Sequence, residues 1–200
     1  MQALSRSAKI LSGLITAAFW LLIAWAVFYG GIALRSALAI GLGNPSGTLY
    51  VSGITLDYLF LDAADGLEIP HRSYLVMNFI TMGHYFLEVP LMCRGLQLLR
   101  KTLACMEQQR PFSGTAALLR KLGWLSAALS VLSNLLKAAR IYASEHVYGL
   151  EALFVGDTIS AVGFRFRPDY TFVVVTVVLF LLSAVFRYGE ELQQLSDETL

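Results

Sequence analysis

The sequence predicts an all-α integral membrane protein: a four-transmembrane-helix bundle with both termini cytoplasmic and a small β-ribbon in the extracytoplasmic loops. Three observations carry this. Four nearly uncharged stretches approach the ~20 residues needed to cross a bilayer. Charged residues make up 14% of the chain and hydrophobic ones 56%, with a mean hydropathy of +0.63, against ~25% charged in soluble domains. Lys and Arg favour one side of alternating connections. A water-soluble chain of 200 residues could not hide that much apolar surface.

The first run, Ile10 to Leu34, holds 25 residues between Lys9 and Arg35 with no ionisable side chain except Tyr29. As a helix it spans roughly 37 Å, more than the ~30 Å hydrocarbon layer. It exceeds the ~7–15 residues of a signal-peptide core, so it reads as a retained signal anchor. Ser12, Thr16 and the Gly13–Ala17 small-x-x-x-small pair suit close approach of a second helix. Gly41 to Gly47 is a turn-rich breaker. Leu49 to Leu56 is rich in β-branched and aromatic residues, and Phe164 and Phe166 alternate with Arg165 and Arg167. Both read as strands of the ribbon.

The second run, Ser73 to Cys93, is broken by His84 and Glu88, and Pro90 removes a donor from its helix. Gln108 to Pro111 stops that helix, and Ser113 can cap the next one. The third run, Leu122 to Leu136, lies between Lys121 and Lys137. The fourth, Tyr170 to Phe186, holds 17 residues between Asp169 and Arg187. The spans, about 10–34, 73–99, 116–140 and 169–188, and their connections occupy 1–200 as one domain.

Only Lys and Arg near span ends set orientation. With the N-terminus inside, the inner side holds Arg6, Lys9, Arg94, Arg100, Lys101, Arg110, Arg120, Lys121 and Arg187. The outer side holds Arg35, Arg72, Lys137, Arg140, Arg165 and Arg167. The first outer loop, Gly43 to His71, has no Lys or Arg but carries Asp57, Asp62, Asp65 and Glu68. Both termini are therefore expected inside, and Trp124 and Tyr188 at the inner interface. Cys93 and Cys105 then face a reducing compartment and read as ordinary thiols.

Polar groups inside a bilayer are costly and are the first functional candidates. Asn78, Thr81, Tyr85 and Glu88 recur on one face of span two, beside His84. Ser126, Ser130, Ser133 and Lys137 do so on span three, beside Asn134. Glu88 lies six residues from Arg94 and Lys137 sixteen from Lys121, roughly 9 and 24 Å from the inner end. An ion pair between them therefore fails. The expected level pairs are Glu88 with Ser126, His84 with Ser130, and Asn78 with Ser133 or Asn134. His84 and Glu88 form one polar face at i, i+4. The simplest reading is a satisfied pair that fixes helix register; a proton-responsive switch is the functional alternative. A metal site would need a further His or Cys at that depth.

There is no phosphate-cradling glycine loop, no G-x-S-x-G, no H-E-x-x-H and no inverted repeat of the transporter kind. A net charge of +1 gives no global field for nucleic acid. No catalytic residue, cofactor or metal is expected.

Two segments carry a family likeness. Arg110-Pro111-Phe112-Ser113 through Leu119-Arg120-Lys121-Leu122-Gly123-Trp124 resembles a "PF…RLRKIGW" cytoplasmic segment. Phe186-Arg187-Tyr188-Gly189-Glu190 through Leu200 is similar to an "FREG…L.EENDLTI" ending, with Asp197-Glu198-Thr199-Leu200 where a shorter "DLT" is usual. Both belong to the bacterial integral membrane family catalogued as domain of unknown function 2975 (DUF2975). The resemblance implies four spans with both termini inside the bacterial cytoplasmic (inner) membrane. It also implies partnership with a small Cro-like helix-turn-helix regulator, and it supplies no catalytic residue.

The expected role is then sensory or regulatory and non-enzymatic. Phe112, Arg120, Lys121, Arg187, Glu190, Glu191, Asp197 and Glu198 form its cytoplasmic interaction surface, and the protein does not touch nucleic acid directly. The alternative is a small transporter or channel subunit, homo-oligomeric, whose span-two and span-three polar stripes line a path.

Overall fold

The structure, a computed structural model, describes residues 2–43, 45–56, 59–107, 114–148 and 166–198. Helix α1 covers Gln2–Leu42. Strands β1 (Thr48–Leu56) and β2 (Leu59–Pro70) follow. Helices α2 (His71–Glu107), α3 (Thr115–Tyr148) and α4 (Thr171–Glu198) complete the order.

Among the described residues, three helices are long and apolar enough to cross a membrane: Ile10–Leu42 and Thr115–Val147, 33 residues each, and Thr171–Ser196, 26 residues. In α1 and α4 only 6% of the most apolar window is buried by the rest of the protein. Leu21 and Val27, for example, are 70% and 71% exposed. Apolar helices so bare are at home in lipid, where the tails solvate them and the backbone satisfies itself. This is a multi-pass membrane protein. Helix α2 has 37 residues but is not among the three, because Asn78, His84 and Glu88 dilute its apolar stretch.

Helix α1 runs past its predicted end at Leu34, through Arg35, to Leu42. It stops at Gly43, whose N–H donates to the Ala39 carbonyl at 3.2 Å. A Cβ there would lie 2.9 Å from the same oxygen, so glycine suits the exit. Strands β1 and β2 then pair antiparallel, from Thr48 opposite Pro70 to Leu56 opposite Leu59. The register shifts between Val51 and Gly53, where the partner passes from Leu67 to Asp62. At the base, the His71 N–H donates to the Gly47 carbonyl at 3.0 Å and ties the first residue of α2 to the start of the ribbon. The segment that forms β2 is not the strand expected beside Leu49 to Leu56, because three acids, Asp62, Asp65 and Glu68, interrupt it. The second expected strand falls mostly outside the described residues; Phe166 and Arg167 are irregular.

Helix α3 starts one residue later than a Ser113 cap would give, and Ser113 itself lies outside the described residues. The Gly114 carbonyl accepts the first helical bond, from the Leu118 N–H at 3.3 Å, with Gly114 at φ +77°. This left-handed conformation is easy for glycine. Helix α4 opens on an Asx turn: the Asp169 Oδ1 accepts the Thr171 N–H at 2.8 Å.

The chain divides into two compact units. One comprises Met1–Trp25, Glu88–Ser133 and Asp169–Leu200; the other comprises Ala26–Leu87 and Asn134–Pro168. Among the described residues, the first contains the eight Lys and Arg assigned to the inner side, and the second the five assigned to the outer side. The first unit's core is Ile15, Val89, Leu98, Ala116, Leu119 and Leu129 with small hydroxyl residues; the second is built on Ala33, Ser36, Ile69 and Met77.

Candidate functional site

In the first unit, α3 and α4 lie antiparallel and are joined at successive levels. The Ser126 hydroxyl donates to the Phe172 carbonyl at 3.0 Å. Gly123 lets the Phe180 ring approach, and the Trp124 ring meets Phe180 edge-on at 5.5 Å. The buried Ser183 hydroxyl donates to the Ala116 carbonyl at 2.8 Å. At the end, the Gly114 N–H donates to the Glu190 carboxylate at 2.8 Å. That N–H belongs to the helix start, where the α3 dipole also favours a negative charge. Small residues at contact points and hydroxyls bonded to facing carbonyls are how helices associate without a hydrophobic drive between them.

Around this junction lie most of the residues expected to form an interaction surface. Arg120, Lys121, Arg187, Glu191 and Glu198 are exposed. The Arg187 and Glu191 side chains pair at 3.2 Å, 72% and 57% exposed, so the bond orders them at a gain of only about 0.3–0.5 kcal/mol. Glu190 is half-buried and committed to the α3 start, so it does not stand with the exposed acids. Phe112 lies outside the described residues. The Asp197 backbone is helical.

In the second unit, α1 and α2 are antiparallel. The Asn78 amide donates to the Ser36 hydroxyl at 3.2 Å. One end further, Tyr29 and Tyr85 are in ring contact at 5.2 Å, and a Cβ on Gly30 would sit 2.9 Å from the Phe86 ring. Asn78 thus answers to α1, whereas its depth matched Ser133 or Asn134. Along α2, His84 is the second unit's and Glu88 the first unit's; each is buried, 8% exposed. Along α3, Ser130 of the first unit is buried, and Asn134 and Lys137 of the second are half-buried. Ser126 likewise gives its hydroxyl to α4 rather than to Glu88. Thr16, Thr102 and Thr176 each donate to the carbonyl four residues back, the local solution for a hydroxyl in an apolar helix.

Asn78→Leu should lower stability by about 0.6–1.7 kcal/mol, the range of interhelical side-chain hydrogen bonds in membranes. Adding Ser36→Ala should cost little more, because the two groups share one bond. Unfolding by SDS titration checks both.

Two anchors were missed in the sequence. Ser36 lies beyond the presumed end of span one. Ser183 carried a signal: it is the single polar residue between Thr176 and Arg187, which marks the inward face of α4. Cys93 and Cys105 are free thiols, both half-buried. An open groove of about 290 Å³ is lined by apolar Ile15, Phe19, Trp20 and Leu96 together with polar Thr16, Gln97 and Arg100. No family model, no curated protein and no solved structure matches the chain.

Proposed function

We propose that the chain is a non-enzymatic regulatory protein of the bacterial cytoplasmic membrane. It crosses the bilayer four times, with α2 as the fourth span, both termini inside and the β1–β2 ribbon outside. Its α3 start and α4 extension hold a cytoplasmic partner, a small basic DNA-binding regulator of helix-turn-helix type. The orientation is supported by the split of Lys and Arg between the two units. The docking role is supported above all by the Gly114–Glu190 bond, which fastens the α4 extension to the start of α3, so that both present one surface.

Beyond Arg187 every charged side chain is acidic: Glu190, Glu191, Asp197 and Glu198. Such a face suits a basic DNA-binding domain and competes with phosphates for it. Deleting Tyr188–Leu200 should abolish recovery of that regulator with the detergent-solubilised protein, while the membrane content of the shortened chain stays unchanged. Equal recovery with and without the tail contradicts the docking role.

A further inference from the structure

The outer face of α4 carries a second pattern. Val174, Val178, Leu181, Val185, Tyr188, Leu192 and Leu195 follow one another at alternating steps of four and three residues. This is a period of 3.5, held over three heptads. Every one of these side chains is exposed, from 48% at Val178 to 64% at Val185 and Tyr188. In heptad terms Val178, Val185 and Leu192 are a positions, and Val174, Leu181, Tyr188 and Leu195 are d positions. The residues on the opposite side, at f, include Ser183 and Glu190, which bond α3. The helix therefore has one face for its own bundle and a seam facing directly away from it.

Lipid alone explains an apolar face only as far as Phe186. After Arg187 the same register continues through Tyr188, Leu192 and Leu195, while Gln193, Gln194 and Ser196 between them are polar. A seam limited to a and d is the width that a coiled coil uses, narrower than the face that packs into a globular core. A helix lying on a membrane surface would instead carry Lys and Arg on its polar side. Here that side is acidic and is repelled by anionic headgroups.

The seam also selects its partner. Copies inserted in one membrane with one orientation bring α4 together in parallel. In a parallel pair, g positions face e positions of the other helix: Glu191 meets Ser196, so no acid meets an acid. Valine at two a positions with leucine at d favours two strands. We propose that α4 forms a parallel two-stranded coiled coil with α4 of a second copy of this chain, along the Val178–Val185–Leu192 and Leu181–Tyr188–Leu195 seam. This dimer does not depend on which cytoplasmic partner, if any, the tail engages.

The test is disulfide cross-linking of the full chain in native membranes. In a Cys93→Ser, Cys105→Ser background, single cysteines replace Tyr188 or Leu192 on the seam, or Gln193 or Gln194 beside it. Mild oxidation should give at least about tenfold more dimer at the two seam positions, because only a and d residues face each other across the axis. Leu192→Glu should abolish cross-linking through the Tyr188→Cys variant without changing membrane content. Equal yields at the four positions, no dimer at any, or cross-links only to another protein overturn the proposal. So does a spin label at position 192 that meets oxygen dissolved in lipid rather than its twin, which would put the seam on the membrane surface.

Discussion

Gly123→Val should destabilise the protein by about 1–3 kcal/mol, the usual penalty for forcing extra carbon into a packed contact. Gly123 is buried in α3. A Cβ at that position would lie 3.1 Å from Phe180 Cε1 and 3.3 Å from both Cδ1 and Cζ, before either valine methyl is added. The ring cannot simply swing away, since its edge contact with Trp124 and the Ser183–Ala116 bond one turn on hold that stretch of α4 in place. Gly123→Ala should do less harm, because alanine recovers about 1 kcal/mol of helix propensity over glycine. Phe180→Leu should rescue much of the valine defect. In an SDS-unfolding cycle the two changes should therefore be strongly non-additive. Simple additivity would show that α3 and α4 do not meet at Gly123.

Ile69→Ala should cost about 2–4 kcal/mol, within the range for truncating a buried isoleucine. The effect should be confined to the ribbon and the start of α2. Ile69 is 2% exposed, among the most completely buried large side chains. It pairs with Leu49 two residues before α2 begins, next to the bond between His71 and Gly47. A two-stranded ribbon is marginal by itself and needs packing at its base. Limited proteolysis reads this directly: the variant should be cut within β1 or β2 many times faster than the parent, with α3 and α4 cut at the parental rate.

The apolar helices were readable because a bilayer demands a long, uniform signal. Ile10 to Leu34 and Tyr170 to Phe186 carry it without interruption, and α1 and α4 are the two most apolar helices. Their ends were less readable. Helix α1 continues to Leu42, since Arg35 can sit at an interface without ending a helix. Pairings were legible only in part. Counting from charged ends gives a residue's depth but not its direction around the helix. Asn78 therefore bonds α1 at Ser36, and Ser126 bonds α4 at Phe172. Glu190 illustrates the same limit: by composition it belongs to an acidic tail, yet its partner is a backbone N–H 76 residues away in sequence. The β2 strand stayed hidden because Asp62, Asp65, Gly66 and Glu68 disguise it as a loop.

The central claim is that α2 crosses the membrane although its polar residues make it the least apolar of the four described helices. Cysteine accessibility at positions 62 and 101, in a chain lacking Cys93 and Cys105, tests it most directly. With α2 as a span, Asp62→Cys reacts with an impermeant maleimide from the outer side, and Lys101→Cys reacts only after the membrane is opened. If α2 does not cross, both positions lie on one side and label together, which would leave three spans and place the termini on opposite faces.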